Sequence, residues 1–489
     1  MPIEISTKEE LKAIEDNMSG DYILVNDIDL NGENFEPIGH PYTAFTGTFN
    51  GQDYKIHNGT INYPAEDFTG LFAYVEDATI ENVTLADVNV TGDTYVGGIV
   101  GYFWGGVVKN VTMQGNVNGF DTTGGIVGWA DGDDGFSVTI SDCYMEGNIG
   151  VAWDAGGIAG RAEDDTLIKY CGMTGSIFGG AIIGGIVGQS YSGVEISNCY
   201  ATGTVSGDMS GSYFSAFVGG IVGICHSEVN NCFATGNVTG HACSESNSYV
   251  GGCVGYGTSA VVKNCFAIGN VKGANCIGGF VGYSSHGSVW ENCFARGETT
   301  GPWNIGGFIG LGAGYSGPDL YNNCYATGKV NVVTYAGRTG DDVYAGGFGG
   351  WVSNNEERTI VEDCFWDKDT TGKGTEGKDE NVHGGSAIHG EPKSTSQMKS
   401  INTFSAWNIT AEENIVFDEH GWNENYIWGI GKLNNGYPFL WKEIIEPDLN
   451  IWVFKSGSFK SIDLATKISS LFKDNAGVWV KKGGTFRSV

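Results

Sequence analysis

The chain repeats one short glycine phrase nine times. Each copy reads Gly-Gly-Ile-Val-Gly or a near variant, and successive copies start 27, 32, 28, 35, 32, 27, 28 and 40 residues apart. The copies occupy residues 97–101, 124–128, 156–160, 184–188, 219–223, 251–255, 278–282, 306–310 and 346–350. A repeat of this length is typical of a solenoid, in which each unit buries its apolar face only against the next.

A second phrase trails each glycine box, as in Ser-Asn-Cys-Tyr-Ala-Thr-Gly at 197–203 and Asn-Asn-Cys-Phe-Ala-Thr-Gly at 230–236. Degenerate copies of the box at 46–51 and 69–73 bring the count to about eleven turns. We therefore predict an all-β fold, a single-chain parallel β-solenoid of right-handed sense with three short strands per turn. At a strand spacing of about 4.8 Å, the stack would be roughly 50 Å long.

Charge and composition exclude some functions. The net charge is −31, whereas a nucleic-acid partner requires a basic surface. No apolar run approaches the roughly 20 residues that span a bilayer, so we predict no membrane insertion. The first residues lack the basic and apolar regions of a signal peptide, which favours synthesis and folding in a cytoplasm.

Cysteine recurs at one position of the repeat. These residues are Cys143, Cys171, Cys199, Cys232, Cys265, Cys293, Cys324 and Cys364. Two earlier repeats carry Val83 and Val111 there, and a site that accepts valine or cysteine requires a small apolar group. We predict a ladder of reduced, buried thiols, with disulfides between turns as the alternative.

The residues around each cysteine predict a corner and an outer aromatic ladder. The preceding asparagine, as at Asn198 and Asn231, is expected at a corner where stacked amides bond from turn to turn. The aromatic residue after the cysteine would then point outwards. This series is Tyr144, Tyr200, Phe233, Phe266, Phe294, Tyr325 and Phe365. If the corner rotates the strand, the aromatic residues are core instead.

Changes in composition predict five segments. Residues 1–45 are read as an N-terminal cap, with a capping box at Ser6-Thr7-Lys8-Glu9 and a short amphipathic helix. Residues 46–370 form the solenoid, 371–394 a polar loop or linker, and 395–446 a second cap. Residues 447–489 form a small module in which two similar phrases each predict a strand, a glycine turn and a strand. This module carries seven basic and three acidic residues in an otherwise acidic chain, which predicts a docking or oligomerisation role.

The two repeated phrases resemble the GLUG repeat of bacterial surface proteins, adhesins and the N-terminal regions of some IgA-cleaving peptidases. The likeness extends over about residues 4–443 and includes Asn-Asp-Ile-Asp-Leu at 26–30 and Gly-Tyr-Pro-Phe-Leu at 436–440. It implies a β-solenoid used for display or adhesion rather than catalysis. The sequence contains no His-Glu-x-x-His zinc motif. The C-terminal module is similar to short modules that end some bacteriophage virion proteins.

Acidic loops follow two successive boxes at equivalent offsets. The residues are Asp131, Asp133, Asp134, Glu163, Asp164 and Asp165. Stacking would bring them one turn apart, and gathered carboxylates suit calcium. We predict no cofactor other than this candidate calcium ion. Two solvated loops, or a carboxylate pair for glycoside cleavage, are the alternatives. A zinc site at Cys225, His226, Cys243 and Cys253 is a weaker hypothesis.

Aromatic residues near the boxes are candidates for ligand binding. They are Trp104, Trp129, Trp153, Tyr256, Tyr283 and Trp351. Aromatic faces beside Asp and Asn suit sugar rings, although ordinary packing accounts for the same pattern.

Three functions fit these features. The main prediction is a non-enzymatic bacteriophage tail fibre or receptor-binding protein of the virion. It would bind host surface glycan or protein, contact other virion proteins through residues 447–489, and form a trimer as fibres often do. The alternatives are a bacterial cell-surface or secreted adhesin and a polysaccharide depolymerase.

Overall fold

The computed structural model describes residues 1–151, 153–209, 214–242, 248–333, 344–352, 358–373, 390–411, 427–431 and 434–440, and strands at 450–455, 458–461, 478–482 and 485–488. For Asp134, Ala242 and the last four strands it describes the backbone alone. The described residues divide into two compact units, Met1–Pro392 and Lys393–Val489. No helix among them is long and apolar enough to cross a membrane.

The first unit is a parallel β-solenoid of about 12 turns, as the repeat predicts. Each regular turn contributes five strands rather than three, and each strand pairs in parallel with its counterpart in the next turn. Some of these strands are only two residues long, which explains why the sequence pattern did not separate them. We number the five positions from the strand that enters the glycine box.

The strands at the five positions have the following bounds. Position 1 holds Thr94–Gly97, Asp121–Gly124, Asp154–Gly156, Ile182–Gly184, Ala216–Gly219, Ser248–Gly251, Ile277–Gly278, Ile305–Gly306 and Ala345–Gly346. Position 2 holds Val127–Gly132, Ala159–Asp164, Val187–Ser190, Val222–Cys225, Val254–Thr258, Val281–Ser285, Ile309–Gly312 and Gly349–Val352. Position 3 holds Val138–Ser141, Thr166–Lys169, Glu195–Ser197, Glu228–Asn230, Val261–Lys263, Val289–Glu291, Asp319–Asn322 and Thr359–Glu362. Position 4 holds Tyr144–Met145, Gly172–Met173, Tyr200–Ala201, Phe233–Ala234, Phe266–Ala267, Phe294–Ala295, Tyr325–Ala326 and Phe365–Asp367. Position 5 holds Val117–Gly119, Ile149–Val151, Ile177–Gly179, Val205–Met209, Val238–Ala242, Val271–Lys272, Thr299–Gly301 and Val330–Val332.

The N-terminal turns use longer strands. Their bounds are Ile3–Ile5, Asp21–Leu24, Ile28–Asp29, Thr48–Asn50, Lys55–Asn62, Phe72–Thr91 and Val100–Gln114. Ile3–Ile5 already pairs in parallel with Asp21–Leu24, which pairs with Thr48–Asn50. The ladder thus begins inside the segment predicted as a cap.

The glycine boxes lie directly above one another. Their first glycines are register partners from Gly97 to Gly346 through every intervening box. A Cβ added to Gly219 would overlap the carbonyl oxygen of Val222, and one added to Gly220 would overlap that of Gly252. The first glycine therefore permits the bend within the box, and the second permits the close contact between turns.

The cysteines form the predicted interior column. All eight ladder thiols are buried, and the eleven described cysteines are free. The Cys143 thiol donates to the Ser141 carbonyl oxygen at 3.1 Å, and the Cys199 amide donates to the Cys232 sulfur at 3.4 Å. Burial raises the pKa of the Cys199 thiol, which favours its neutral form.

Asparagine occupies the predicted corners. Asn198, Asn231, Asn264, Asn292 and Asn323 all have left-handed backbone, with φ between 53° and 56°. Asn323 Nδ2 donates to Asn292 Oδ1 at 3.2 Å, which is the predicted bond between turns. Asn264 Nδ2 instead reaches Asn230 Oδ1 at 3.0 Å, one residue before the corner of the previous turn.

The aromatic ladder lies on the outer side, as predicted. Cys199 and Ala201 are buried, whereas Tyr200 between them is partly exposed. Ring centroids of Tyr200, Phe233, Phe266, Phe294 and Tyr325 are 4.9–5.6 Å apart, with parallel planes. Near the C-terminal end the ladder is covered, because Phe294, Tyr325 and Phe365 are buried. Thr370 Oγ1 donates to the Thr327 carbonyl at 2.7 Å, which places the helix Lys368–Thr371 beside this end.

Short helices and one large side chain complete the unit. The α-helix Lys8–Lys12 begins at N-cap Thr7, which forms a capping box with Glu10, one residue later than predicted. The 3₁₀ helices Ala13–Asp16 and Asp133–Gly135 follow. In the last turn Trp366 is the register partner of Ala326, and its side chain covers Gly347. The strand Glu391–Lys393 joins the ladder through a 2.8 Å bond from the Glu391 amide to the Cys364 carbonyl.

The second unit contains two small sheets. The α-helix Thr395–Met398 and the 3₁₀ helix Ile401–Phe404 precede strands Ile409–Ala411, Trp428–Ile430 and Pro438–Leu440, and Phe404, Trp407 and Trp428 pack as a ring cluster. Strands Asn450–Lys455, Ser458–Ser461, Val478–Lys482 and Thr485–Ser488 form an antiparallel sheet. Each of the two similar phrases is thus a hairpin, as predicted. Most of the predicted linker, 374–389, lies outside the described residues.

Candidate functional site

The irregular spacing of the boxes reflects insertions at two corners of the turn. The interval of 32 residues after Gly124 contains the loop between Gly132 and Val138, which joins positions 2 and 3. The interval of 35 residues after Gly184 contains the loop between Met209 and Ala216, which joins positions 5 and 1. Insertions on one side of a solenoid often form its binding surface, so these two corners flank the candidate site.

A single outward column brings together four of the predicted ligand-binding residues. It consists of Tyr74, Tyr102, Trp129, Arg161, Gln189, Ile224, Tyr256, Tyr283, Leu311 and Trp351, each the register partner of the next. We call it the box column, because each member follows a glycine box by one residue.

The rings of the box column pack on one another. Tyr256 and Tyr283 stack with centroids 5.0 Å apart and an interplanar angle of 9°. Tyr249, on the neighbouring position 1 strand, stacks on Tyr283 at 5.2 Å. Parallel stacking covers ring faces and leaves ring edges towards solvent. A sugar ring that stacks on a face therefore finds little free surface at Tyr256 and Tyr283.

Arginine interrupts the aromatic residues of the box column. The Arg161 guanidinium lies 4.9 Å from the ring centre of Trp129 and 4.7 Å from that of Tyr191. Its Nε also pairs with Glu163 Oε1. This cation between two aromatic faces was not predicted, because its partners come from the turns below and above.

The predicted acidic residues partly converge. Asp131 and Glu163 are register partners, and carboxylate oxygens of Asp131, Glu163 and Asp164 lie within 4.8 Å of one another. The Tyr102 hydroxyl donates to Asp131 Oδ2 at 2.7 Å. Asp133 and Asp165 are exposed, and the side chain of Asp134 lies outside the described residues. Three carboxylates at this separation can ligate a hard cation, and calcium stays a prediction.

A further carboxyl group near Arg161 has an unusual protonation equilibrium. Burial, together with the nearby Asp121 carboxylate, raises the pKa of Asp154 to about 7, while Arg161 acts in the opposite direction. Burial also raises the pKa of Glu163. Asp154 is therefore partly protonated at neutral pH and can donate or accept a hydrogen bond. This protonation was not predicted, because its cause is the packing of adjacent turns.

Trp104 and Trp153 lie outside the box column. Trp104 packs edge-on against Phe136 at 5.3 Å, and its Nε1 donates to the Asp133 carbonyl at 3.4 Å. Trp153 lies at the corner between positions 5 and 1, where it meets Phe214 at 4.8 Å. The six predicted ligand-binding residues thus occupy three separate places, and ligand binding at each stays a prediction.

The candidate zinc residues do not converge where they are described. Cys225 and Cys253 are buried in the core, and His226 stacks on Tyr191 with centroids 5.6 Å apart. Cys243 lies outside the described residues. The acidic cluster is the one group of three or more potential ligands found among the described side chains.

Comparisons with known proteins give partial matches. Residues 5–115 match the family model described as M26 IgA1-specific Metallo-endopeptidase N-terminal region. Halomucin of Haloquadratum walsbyi is 36% identical over 146 residues, which is 27% of this chain and 2% of that protein. Immunoglobulin A1 protease of Streptococcus sanguinis is 28% identical over 213 residues, which is 34% of this chain and 11% of that protein. The chain thus spans about a tenth or less of the length of these relatives.

Two solved structures are also similar. One is an IgA1 protease with a TM-score of 0.33 and 15% identity, which covers 74% of this chain and 21% of that chain. The other is a putative immunoglobulin A1 protease from Bacteroides ovatus with a TM-score of 0.27 and 17% identity, which covers 90% of this chain and 92% of that chain.

These matches overturn the predicted virion function. The N-terminal segment matches a region of metallo-endopeptidases, and longer stretches match proteins of cellular organisms. The prediction of a bacteriophage tail fibre is therefore wrong. It gave too much weight to a tail resemblance of about 40 residues and to the first residues of the chain, which carry no information about localisation if the chain is part of a longer protein.

Proposed function

We propose that this chain is a non-catalytic region of a bacterial cell-surface or secreted protein, and that it serves in adhesion or display. We further propose that its repeats are of the GLUG type and that its outer surface binds glycan or protein. The observation that carries the proposal is the unbroken register of the glycine boxes from Gly97 to Gly346. A stack of this kind extends in one dimension and presents the same surface position once per turn.

The partially matching relatives support the proposed location of the protein at the cell surface or outside the cell. One relative is named Halomucin and another Immunoglobulin A1 protease. The match to the metallo-endopeptidase model lies in a region described as N-terminal. We propose no peptidase chemistry for the described residues. The role of the basic module at 447–489 is proposed as docking or self-association, which its net positive charge in an acidic chain supports.

Surface labelling tests the proposal. Intact cells that express the gene at its natural level would be probed with an antibody against the solenoid, beside a cytoplasmic marker. We expect the solenoid to be labelled on intact cells or recovered from the medium, while the marker is detected only after lysis. Detection of both proteins only after lysis would contradict the proposal.

A further inference from the structure

Four aromatic side chains form an exposed patch at the corner between positions 5 and 1. Phe120, Phe178 and Phe214 are 56%, 53% and 57% exposed, and Trp153 is partly exposed beside Phe214. Most other large apolar side chains of the solenoid are buried. We call these four residues the corner patch.

The corner patch lies on neighbouring turns. Phe120 and Trp153 each stand just before a position 1 strand, and Phe178 lies on the position 5 strand Ile177–Gly179. Phe214 comes from the insertion before Ala216–Gly219. Trp153 and Phe214 meet edge-on, with an interplanar angle of 76°. An edge-on contact covers less ring face than the parallel stack of Tyr256 and Tyr283 does.

Carboxyl groups accompany two of the rings. Asp121 follows Phe120 directly, and Asp154 follows Trp153 directly. Asp121 and Asp154 begin adjacent position 1 strands, which pair through Thr123 and Ala155. An apolar ring face beside a hydrogen-bonding carboxyl group suits a ligand that has C–H faces and hydroxyl groups.

The size and charge of the patch restrict its ligand. Four half-exposed aromatic side chains offer on the order of 400 Å², about half of the roughly 800 Å² per partner in a stable protein interface. The net charge of the chain, −31, disfavours an anionic ligand. A narrow, neutral and hydroxyl-rich polymer fits these conditions better than a second copy of the chain.

We propose that the corner patch binds a neutral glycan. The open faces of Phe120, Trp153 and Phe178 receive the C–H faces of sugar rings, and Asp121 and Asp154 bind hydroxyl groups. Equivalent points on successive turns are about 4.8 Å apart, so an extended chain along the solenoid axis meets several rings. The inference rests on the proposed function and names the ligand class of that surface.

Calorimetric titration of the purified full chain tests this inference. The probes are chitohexaose, cellohexaose and mannohexaose, with heparin as the anionic comparison. We expect at least one neutral hexasaccharide to bind and heparin not to bind. The paired substitution Trp153→Ala and Phe178→Ala should weaken binding at least tenfold.

Matched controls separate binding from folding. Tyr42→Ala and Tyr315→Ala remove side chains that are 95% and 63% exposed at other places, and both should leave the affinity unchanged. All variants should melt within a few degrees of the unmodified chain. The inference would be overturned if all three neutral probes failed to bind or if the paired variant bound them equally well. It would also be overturned if the paired substitution abolished self-association of the chain and left glycan binding unchanged. Because titration uses purified protein, its outcome is independent of the labelling experiment on intact cells.

Discussion

Corner residues in this solenoid have a backbone conformation that few side chains adopt. Asn264 has a φ of 54°, and its amide donates to Asn230 Oδ1. Asparagine tolerates the left-handed region better than other residues with a Cβ, because its short polar side chain bonds locally. The recurrence of asparagine at the corners therefore reflects backbone geometry as well as bonds between turns.

Replacing Asn264 separates these two contributions. Asn264→Ala should lower the free energy of unfolding by about 1–2 kcal/mol, because alanine is strained in this region and loses the hydrogen bond. Asn264→Gly loses the same bond without the strain and should cost about 1 kcal/mol less than alanine. Denaturant unfolding of the three proteins measures the difference. Equal stability of the two variants would contradict the geometric explanation.

The raised pKa of Asp154 predicts a pH dependence of stability. Its folded-state pKa is about 7, against an ordinary value of 3.8. The folded state thus holds this proton in a range where the unfolded state has lost it, so the stabilisation is complete below the ordinary pKa and is lost as pH rises through about 7. Between about pH 4 and pH 8, the free energy of unfolding of Asp154→Asn should rise relative to that of the unmodified chain. The rise should reach on the order of 1–2 kcal/mol after allowance for solvent screening.

Thermal melts across this pH range provide the test. The exposed substitution Glu195→Gln is the control and should follow the unmodified chain at every pH. An Asp154→Asn profile parallel to that of the unmodified chain would show that this carboxyl has no raised pKa in the folded state.

At the scale of the structural element, the glycine box is the tightest part of each turn. Gly220→Ala should lower the free energy of unfolding by about 3 kcal/mol, because the new Cβ overlaps the Gly252 carbonyl oxygen and both partners are backbone. Gly32→Ala is the matched control, since Gly32 has a φ of 71° but nothing within 4 Å. It should cost only about 1 kcal/mol of conformational strain. Similar losses in the two variants would contradict close stacking at the box.

The acidic loops predict an effect of calcium on the turns that carry them. If Asp131, Glu163 and Asp164 bind calcium, millimolar calcium should raise the melting temperature by a few degrees, because a ligand that binds only the folded state stabilises it. Asp131→Asn should abolish the shift, and the exposed Asp133→Asn should retain most of it. A shift that is equal in all three proteins, or absent from the unmodified chain, would exclude this site.

Residues that repeat in every turn were predictable, and residues that vary along a column were not. The cysteine ladder and the aligned boxes follow from a phrase that occurs many times, so each copy supports the others. Arg161 and Asp154 occur once each in their columns, and their properties depend on Trp129, Tyr191 and Asp121 in other strands. Two-residue strands such as Phe233–Ala234 are too short to give a periodic pattern, which explains why five strands per turn were not predicted.

Across the whole solenoid, the register between turns determines where each surface residue lies. One surface column at position 5 runs through Asn118, Gly150, Phe178, Ser206, Thr239, Lys272, Thr300 and Asn331, each paired with the next. In a regular stack, the distance along this column depends only on the number of turns between two residues. Surface functions such as the proposed glycan binding depend on this regularity, because a long ligand must meet equivalent positions on several turns.

Pulsed electron spin resonance between labels on this column tests the register directly. Three variants each carry two introduced cysteines, one at Asn118 and the other at Ser206, Lys272 or Asn331. The two labels are then separated by three, five or seven turns. The buried native thiols should label weakly, and the unmodified chain measures that background. We predict mean distances of about 14, 24 and 34 Å, which grow linearly by about 4.8 Å per turn. Distances that do not increase with the number of intervening turns would contradict the stacked solenoid and every inference drawn from it.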